Sequence, residues 1–295
     1  MAVVTRFAPS PTGPLHLGHA YSALVAHDMA RTVGGSFLLR IEDIDRTRSR
    51  PVWEAQLLDD LAWLGVSWDG TPMRQSDRMS AYRDALDRLW HAGCLYPCSC
   101  TRRDIEAALG APQEGAPHHG PDGPIYPGTC RAPLSPLASF SEIPRPTDQH
   151  LRLNLSRSLA LLHADLDKSG GLKVLESGTT SPGIHLMTPT GYLQTIGDVV
   201  LVRKDFGTSY HLSVVVDDAA QGITDVTRGE DLFDATAIHV LLQALLTLPT
   251  PRYHHHRLIR DDKGKRLAKR DDARALSRYR AEGATPADIR RLIGL

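Results

Sequence analysis

Residues 7–14 read Phe-Ala-Pro-Ser-Pro-Thr-Gly-Pro, and this run restricts the fold of the chain more than any other segment. Its three prolines and its glycine exclude both a helix and a regular strand. Apolar residues before the run indicate a strand over residues 2–7, and apolar residues at helical spacing from Leu15 predict a helix up to about Thr32. The chain therefore begins with a strand, a rigid turn and a helix.

Strands and helices continue to alternate over the first third of the chain. Residues 36–42 form a short apolar run that is typical of a buried parallel strand and ends in an acidic residue. A helix is predicted from Pro51, and a second helix over residues 77–92 with Asp77 as its cap. This alternation predicts an α/β fold with a parallel sheet.

The alternation stops at Cys94, and a stretch rich in glycine and proline follows. We therefore expect a less regular second domain to be inserted from about residue 95 to about residue 190. The alternation resumes with the apolar runs at residues 197–203 and 212–218, and a long apolar helix is predicted over residues 232–246. The insertion thus divides the α/β domain into two halves.

Charge is distributed unevenly along the chain. The formal net charge of +0 argues against a protein that coats nucleic acid with its whole surface. Residues 252–291, however, contain 13 Lys and Arg against 6 Asp and Glu, so we expect this end to meet polyanions. No stretch approaches the roughly 18 apolar residues of a membrane span, and residues 1–6 lack the pattern of a leader. We therefore expect a cytoplasmic protein without membrane contact.

The two commonest phosphate-binding loop motifs are absent: no Gly-x-Gly-x-x-Gly follows a predicted strand, and the sequence contains no Gly-x-x-x-x-Gly-Lys-Ser/Thr. In their place, residues 10–19 lead into the first predicted helix, whose N-terminus offers N–H groups and a positive dipole end to phosphate. His16 and His19 share one face of this helix and can donate to phosphate oxygens, while Gly18 lets a nucleotide approach the backbone. Taken alone, the histidine pair also fits a structural role.

A basic loop, Asp-Lys-Gly-Lys-Arg-Leu-Ala-Lys-Arg at residues 262–270, is the second motif. Alone it fits a solvated surface, but together with the first motif it is predicted to bring Lys269 to the phosphates of a nucleotide. Phosphoryl and nucleotidyl transfer depend mainly on positioning and on neutralised charge, which ammonium groups and Mg²⁺ supply. Three consecutive histidines at residues 254–256 are expected to be solvated loop residues, with a phosphate or RNA contact as the alternative.

These motifs resemble the signatures of class I aminoacyl-tRNA synthetases. Residues 16–19 are similar to the HIGH signature, and residues 266–270 are similar to the KMSKS signature, with arginine and alanine in place of its first lysine and first serine. Residues 6–13 and 40–45 resemble the glutamyl-tRNA synthetase family more narrowly. The resemblance covers nearly the whole chain and is weakest from about residue 135 to 190.

The chain ends 25 residues after Arg270, whereas glutamyl-tRNA synthetases continue into a helical anticodon-binding domain. The resemblance therefore implies the short branch of the family, whose members attach glutamate to the queuosine base in the anticodon of tRNA(Asp). It implies three substrates, namely ATP, L-glutamate and tRNA(Asp) bearing queuosine, together with Mg²⁺ bound with ATP. We expect activation of glutamate to need no tRNA, and the protein to be a monomer.

The resemblance implies a Rossmann-like class I synthetase catalytic domain with a parallel sheet, an inserted zinc-containing subdomain and a short helical C-terminal segment. The expected boundaries are residues 1–94 for the first half of the catalytic domain, 95–190 for the inserted zinc-binding, acceptor-type subdomain, 191–250 for the second half of the catalytic domain, and 251–295 for the KMSKS-like loop and the basic helical end.

The resemblance also implies roles for individual residues. Glutamate would be bound by Arg6, Phe7, Ala8, Pro9, Ser10, Glu42, Tyr210 and Arg228. ATP would be bound by His16, Gly18, His19, Arg266 and Lys269, of which His16, His19 and Lys269 are expected to be catalytic. An arginine fork suits a carboxylate, and Glu42 can hold the substrate ammonium group. Without the resemblance, Arg228 fits an ion pair with Asp225 or Asp231 equally well, and Tyr210 fits a core aromatic.

Four cysteines lie within 37 positions of one another, which is too few for a disulfide scaffold and suggests a metal site. Cys98, Cys100 and Cys130 supply three thiolates and leave a fourth ligand open. The resemblance assigns a structural Zn²⁺ to Cys98, Cys100, Tyr126 and Cys130. Alternative fourth ligands are Cys94, His118 and His119, and reduced cysteines without a metal are a further alternative.

Three other functions stay open. One is ordinary glutamyl-tRNA synthetase activity on a tRNA 3′ end. A second is a carboxylate-adenylating ligase of the same superfamily that never meets RNA, against which the basic C-terminal end argues. The third is a non-catalytic paralogue that binds RNA or an amino acid, which the presence of His16, His19, Lys269 and Arg228 disfavours.

Overall fold

The computed structural model describes residues 2–109, 119–131, 143–260 and 274–295. Its strands are β1 Val4–Phe7, β2 Ser36–Ile41, β3 Met73–Arg74, β4 Leu95–Cys98, β5 His119–Gly120, β6 Gly123–Pro124, β7 His150–Leu153, β8 Leu172–Glu176, β9 Gly183–Met187, β10 Val200–Val202, β11 Asp225–Gly229 and β12 Arg252–His256. Its helices are α1 Leu17–Thr32, α2 Pro51–Trp63, α3 Met79–His91, α4 Arg102–Leu109, α5 Leu155–Leu161, α6 His163–Ser169, α7 Pro189–Thr195, α8 Tyr210–Ala220, α9 Thr236–Leu245, α10 Leu276–Ala281 and α11 Pro286–Ile293. Within these ranges every helix is too short or too polar to cross a membrane.

Two parallel sets of strands meet at the first strand of the chain. β1 pairs with β2 and β2 with β3, all in parallel. β11, β12 and β8 form the second parallel set, to which β9 is added in antiparallel direction. Thr224, just before β11, donates its backbone N–H to the Val4 carbonyl at 3.0 Å and accepts from the Val4 N–H through its hydroxyl at 2.8 Å. The two sets therefore lie side by side, as predicted for an α/β protein.

The region inserted at residues 95–190 contributes strands both to the parallel sheet and to a separate antiparallel sheet. β4, β7 and β10 form a separate antiparallel sheet. β8 and β9 precede residue 190 yet join the parallel sheet of β11 and β12, whereas β10 follows residue 190 and joins the antiparallel one. Each of the two sheets therefore contains strands from both sides of the expected boundary at residue 190.

The C-terminal helices pack on the first helix of the chain. Ile289 and Ile293 of α11 are buried in one cluster with Leu24 of α1 and Leu276 of α10. A reciprocal capping box between Thr285 and the third residue of α11 fixes where this helix begins. The end of the chain is therefore part of the core beside α1.

Several arginines of the basic C-terminal end pair with acidic residues of the protein. The ion pairs are Arg280 with Asp59, Arg290 with Asp28 and Arg291 with Asp288. Part of the positive charge that the sequence places at this end is thus balanced within the chain, which reduces the share that can meet a polyanion.

The apolar run at residues 212–218 lies inside α8 and is not a strand. Its three consecutive valines favour a strand, but the side chain of Ser209 caps a helix by accepting from the Leu212 backbone N–H at 3.4 Å. The helix also buries two acidic residues, Asp217 and Asp218, against polar partners from other elements. Tertiary packing therefore overrides the local preference for a strand.

Three smaller predictions also need correction. α3 begins at Met79 after a short 3₁₀ turn, Gln75–Arg78, so Asp77 lies in that turn and is not the cap. The helix predicted over residues 232–246 begins only at Thr236. Residues 254–256 lie on β12 and are not solvated loop residues, because pairing with β11 on one side and β8 on the other encloses them.

Asp217 connects α8 to the region around α3. It is fully buried and accepts hydrogen bonds from the Tyr82 hydroxyl at 2.7 Å, the Gln75 amide at 2.9 Å and Nε of Arg78 at 3.2 Å. A buried carboxylate is tolerated only when such donors replace its water.

We expect Asp217→Ala to lower the free energy of unfolding by about 3 kcal/mol or more, because it leaves buried donors without their acceptor. Urea unfolding followed by circular dichroism measures the change. The matched control is Asp167→Ala on the exposed face of α6, where the carboxylate pairs with His163, and it should change stability by less than about 0.5 kcal/mol. Equal losses in both variants would contradict the structural role of Asp217.

Candidate active site and metal centre

A cavity of about 570 Å³ lies at the carboxyl ends of four parallel strands. Phe7 ends β1, Glu42 follows β2, Gly229 ends β11 and His256 ends β12, and all four line the cavity. This edge of an open α/β sheet is where ligands bind. The cavity brings together every predicted site residue outside the KMSKS-like loop and the metal cluster: Arg6, Phe7, Ala8, Pro9, Ser10, His16, Gly18, His19, Glu42, Tyr210 and Arg228.

His16 and His19 lie at the start of α1, with ring centroids 3.8 Å apart. Nδ1 of His16 accepts from the Gly18 backbone N–H at 3.1 Å, and Nδ1 of His19 accepts from the His16 backbone N–H at 3.2 Å. Because both Nδ1 atoms are acceptors, each neutral ring carries its proton on Nε2. Two imidazole donors are thus held at the positive end of a helix, which suits the binding of phosphate.

Arg6 and Glu42 are joined through a buried charge network. Arg6 donates to Asp218 at 2.9 Å and to the Thr227 carbonyl at 3.2 Å, while Arg40 donates to Asp218 at 2.7 Å and to Glu42 at 3.3 Å. Burial raises the pKa of Glu42, an effect that Arg40 and Arg6 oppose. Among the described residues, the Glu42 side chain bonds through one oxygen only, which leaves the other to accept from an ammonium group.

Arg228 has a different environment from Arg6. Its Nε donates to Nε2 of His255 at 3.0 Å, one terminal nitrogen bonds Nδ1 of His239 at 2.8 Å, and the other donates to the Thr236 hydroxyl at 2.6 Å. Within the described ranges no carboxylate lies at ion-pair distance from this guanidinium. Its three partners are therefore uncharged whenever the two imidazoles are neutral.

The structural alternatives for Arg228 and Tyr210 do not match the described contacts. Asp225 pairs with Arg252 at 2.8 Å, and neither it nor Asp231 is an ion-pair partner of Arg228. The side chain of Tyr210 is 40% exposed and lines the cavity, so it is not a core aromatic.

The cavity also contains His256, which the sequence predicted to be a solvated loop residue, with a phosphate or RNA contact as the alternative. Its Nε2 lies 2.7 Å from the Ser22 hydroxyl and its Nδ1 lies 3.0 Å from the Arg257 carbonyl, so the ring donates through Nδ1 and accepts at Nε2. Burial lowers the pKa of His256. A strand prediction over residues 252–256 would have placed this residue at the same edge of the sheet as Phe7.

The KMSKS-like loop begins and ends beside the cavity. Ile259, shortly before residues 261–273, lines it. After those residues, Ala275 forms a β-bridge with His16, and the Leu276 backbone N–H bonds the Leu15 carbonyl at 2.8 Å. The predictions for Arg266 and Lys269 lie outside the described residues, but both ends of their loop are fixed next to the histidine motif.

Cys98, Cys100 and Cys130 bring three sulfur atoms within 4.8 Å of one another. The Tyr126 hydroxyl lies 3.5 Å from the sulfur of Cys98 and 3.3 Å from that of Cys100, and accepts from the Cys130 backbone N–H at 2.8 Å. Zinc–sulfur bonds of about 2.3 Å in a tetrahedron place sulfur atoms about 3.8 Å apart. These four side chains therefore fit a small tetrahedral metal ion.

Arg152 lies against the cysteine cluster. Its Nε donates to the sulfur of Cys98 at 3.2 Å, and its guanidinium carbon is 3.9 Å from the centre of the Tyr126 ring. Hydrogen bonding with Tyr126 lowers the pKa of the Cys130 thiol to about 6, which favours the thiolate that binds metal. A positive charge at this distance offsets the negative charge of such thiolates.

The alternative metal ligands that fall within the described residues lie away from the cysteine cluster. Cys94 is buried in the large hydrophobic core, and burial raises the pKa of its thiol. His119 lines a second cavity, of about 460 Å³, together with His185 and Phe233. The prediction for His118 lies outside the described residues.

Comparison with known proteins identifies the family. The model of the tRNA synthetases class I (E and Q), catalytic domain, matches residues 2–122 and 190–295. The chain belongs to this family. The synthetase fold that the sequence predicted, with its parallel sheet, is thereby confirmed, and the chain is an enzyme of the ligase class.

Among curated relatives, the synthetase is 62% identical over 293 residues to the glutamyl-Q tRNA(Asp) synthetase of Rhodobacter capsulatus, with 99% of this chain and 100% of the relative covered. It is 40% identical to the protein of that name from Symbiobacterium thermophilum, with 96% and 83% covered. The resemblance to the glutamyl-tRNA synthetase family is confirmed by these relatives.

Among solved structures, the synthetase is similar to a glutamate tRNA ligase from Elizabethkingia meningosepticum with a TM-score of 0.71 and 26% identity. The match covers 99% of this chain but 60% of that ligase, so the synthetase spans less than two thirds of its length. A methionyl-tRNA synthetase from Mycobacterium tuberculosis shares the fold, with a TM-score of 0.62 and 12% identity.

We expect Cys130→Ala to abolish the binding of metal by the purified synthetase, because two thiols and a tyrosine hold a tetrahedral ion poorly. Inductively coupled plasma mass spectrometry should find about one ion per wild-type chain. Cys94→Ala is the matched control, since Cys94 lies in the hydrophobic core, and it should keep the metal. A wild-type chain that carries no metal, or a Cys94 variant that loses it equally, would contradict this assignment.

Proposed function

We propose that the synthetase activates L-glutamate with ATP in the absence of tRNA and transfers glutamate to the queuosine base in the anticodon of tRNA(Asp). The observation that carries this proposal is the single cavity that unites Arg228, with its uncharged partners, and the histidine motif at the start of α1. The name of the relative that is 62% identical supports the substrate assignment.

The amino-acid half of the cavity matches the charges of glutamate. Arg228 would bind a carboxylate of the substrate, and Glu42 would accept from its ammonium group. Arg6, Phe7, Ala8, Pro9, Ser10 and Tyr210 would form the rest of the binding surface. Because Asp218, which Arg6 shares with Arg40, offsets part of its charge, Arg6 would act mainly through its remaining N–H groups.

The nucleotide half of the cavity matches the charges of ATP. His16 and His19 would donate from Nε2 to phosphate oxygens, and Gly18 would let the nucleotide approach the backbone. Lys269 and Arg266 would add positive charge from the loop whose two ends border this region. Mg²⁺ would come with ATP, because this ion is held mainly by substrate phosphates and water, and it would neutralise their charge.

Activation needs no nucleophile from the protein. A carboxylate oxygen of glutamate forms a bond to the α-phosphorus of ATP while the bond to pyrophosphate breaks, which gives glutamyl adenylate. A hydroxyl of the queuosine cyclopentene ring then forms the ester bond to the activated carbonyl carbon, AMP leaves with the electron pair, and the hydroxyl proton is released. The residues of the cavity contribute by positioning and by stabilising charge on the phosphates.

The metal that fits the cysteine cluster would be a structural Zn²⁺. Cys98, Cys100, Cys130 and Tyr126 fill four positions, so no open position is left for chemistry. Burial raises the pKa of Tyr126, so the ion itself would have to stabilise the phenolate.

The proposal also includes the division of the chain at residues 94, 190 and 250. It further includes a monomeric state and a cytoplasmic location, where ATP and tRNA are found.

We expect glutamate-dependent exchange of pyrophosphate into ATP without any tRNA. Lys269→Ala should slow this exchange about 100-fold or more, because it removes an ammonium group from the phosphates in the transition state. Lys173→Ala on the exposed side of β8 is the matched control and should leave the rate unchanged. Exchange that requires added tRNA, or equal rates for the two variants, would contradict the activation step.

We expect radiolabelled glutamate to be transferred to an anticodon stem-loop of tRNA(Asp) that carries queuosine, and not to the same stem-loop with guanine at that position. The stem-loop has no acceptor end, so labelling of it excludes attachment at a tRNA 3′ end. Label that appears only on intact tRNA(Glu) would refute the queuosine assignment and favour ordinary glutamyl-tRNA synthetase activity.

A further inference from the structure

A line of polar side chains, buried except for Asp122 at one end, extends on both sides of Arg228. On one side, His255 bonds Arg228 through Nε2 at 3.0 Å and Glu176 through Nδ1 at 2.5 Å. On the other side, His239 bonds Arg228 through Nδ1 at 2.8 Å, and its Nε2 lies 3.1 Å from Nδ1 of His211. Nε2 of His211 in turn lies 3.3 Å from a carboxylate oxygen of Asp122.

The donors and acceptors in this line fix the protonation of each ring. A guanidinium can only donate, so Nε2 of His255 and Nδ1 of His239 must both be acceptors. His255 therefore carries its proton on Nδ1 and donates it to Glu176. His239 carries its proton on Nε2 and donates it to His211, whose own Nε2–H then points to Asp122. Each imidazole is consequently neutral in this arrangement.

The same bonds leave a defined set of donors on Arg228. A guanidinium has five N–H groups. His255 takes the one on Nε, while His239 and Thr236 each take one on a different terminal nitrogen. Among the described contacts, one N–H on each terminal nitrogen is left over, so the guanidinium keeps two donors for a carboxylate.

We infer that His239 and His255 are positioning residues that hold Arg228 through neutral acceptors only, so that its full positive charge serves a carboxylate of the substrate. This inference rests on the proposed binding of glutamate at Arg228. Glu176 and, through His211, Asp122 lock the two rings in the tautomers that present a lone pair to the guanidinium.

Burial supports the neutral state of both rings. The pKa of His239 is lowered well below its usual value by burial and by the charge of Arg228. Burial and Arg228 also lower the pKa of His255 to about 4, although Glu176 opposes the shift. At neutral pH, therefore, both rings are neutral, and they accept from the guanidinium without changing its charge.

Arg6 provides an internal comparison in the same cavity. Its guanidinium is paired with the carboxylate of Asp218 at 2.9 Å, which it shares with Arg40, so that part of its charge is already offset inside the protein. If a carboxylate stood in the place of His239, the charge of Arg228 would be offset in the same way. The choice between imidazole and carboxylate at this position thus decides how strongly Arg228 attracts an acidic substrate.

His239→Asp and His239→Asn test the inference, because they have nearly the same shape and both place an oxygen near the position of Nδ1. The Asp variant adds a negative charge beside Arg228 and should raise the KM for glutamate in tRNA-free pyrophosphate exchange about 30-fold or more. The Asn variant keeps a neutral acceptor and should stay within about 3-fold of wild type. The KM for ATP should be unchanged in both variants, since His239 is not among the residues that line the cavity.

Thr236→Asp, with Thr236→Asn as its control, repeats the test at the first residue of α9, where an acidic residue suits the helix N-terminus. This pair decides the outcome if the His239 variants do not fold. An active wild type in which the Asp and Asn variants raise the KM for glutamate equally would overturn the inference alone. A wild type without glutamate-dependent exchange would overturn the proposed function and the inference with it.

Discussion

The carboxylate of Asp218 joins α8, which follows the inserted region, to β1 and β2 at the start of the chain. It is buried in α8 and accepts from Arg6 on β1 and from Arg40 on β2. Taking three such charges out of water is costly, and only close pairing with good geometry offsets that cost. Although burial opposes ionisation, Arg6 and Arg40 keep the pKa of Asp218 below its usual value. The network also holds two residues that line the cavity, Arg6 directly and Glu42 through Arg40.

The charges around the cavity are arranged to complement an amino acid and a nucleotide at once. One guanidinium, on Arg6, is compensated inside the protein, while a second, on Arg228, is held by uncharged groups. Glu42 supplies negative charge, and the start of α1 supplies donors and a positive dipole end. The proposed substrates, a zwitterionic acidic amino acid and a polyphosphate, complement these charges.

The sequence predicted the parts of this arrangement that depend on local pattern. Proline and glycine before α1 were enough to predict the turn, apolar residues at helical spacing predicted α1, and the alternation of strands and helices predicted the α/β class. The sequence did not predict α8, because its valines favour a strand, whereas the burial of Asp217 and Asp218 against other elements, together with the cap at Ser209, favours a helix. Nor did the sequence reveal the environment of Arg228, because His239 lies on α9 and His255 on β12, and the two come together around Arg228 only in the folded protein.

A crystal structure with a non-hydrolysable analogue of glutamyl adenylate tests the central claim most directly. The account predicts one analogue per chain in the cavity at the carboxyl ends of β1, β2, β11 and β12. A glutamyl oxygen should lie about 3 Å from a terminal nitrogen of Arg228, and the phosphate should lie at the start of α1 within reach of His16 or His19. An analogue bound outside this cavity, or bound within it while Arg228 contacts only its histidines and Thr236, would contradict the account.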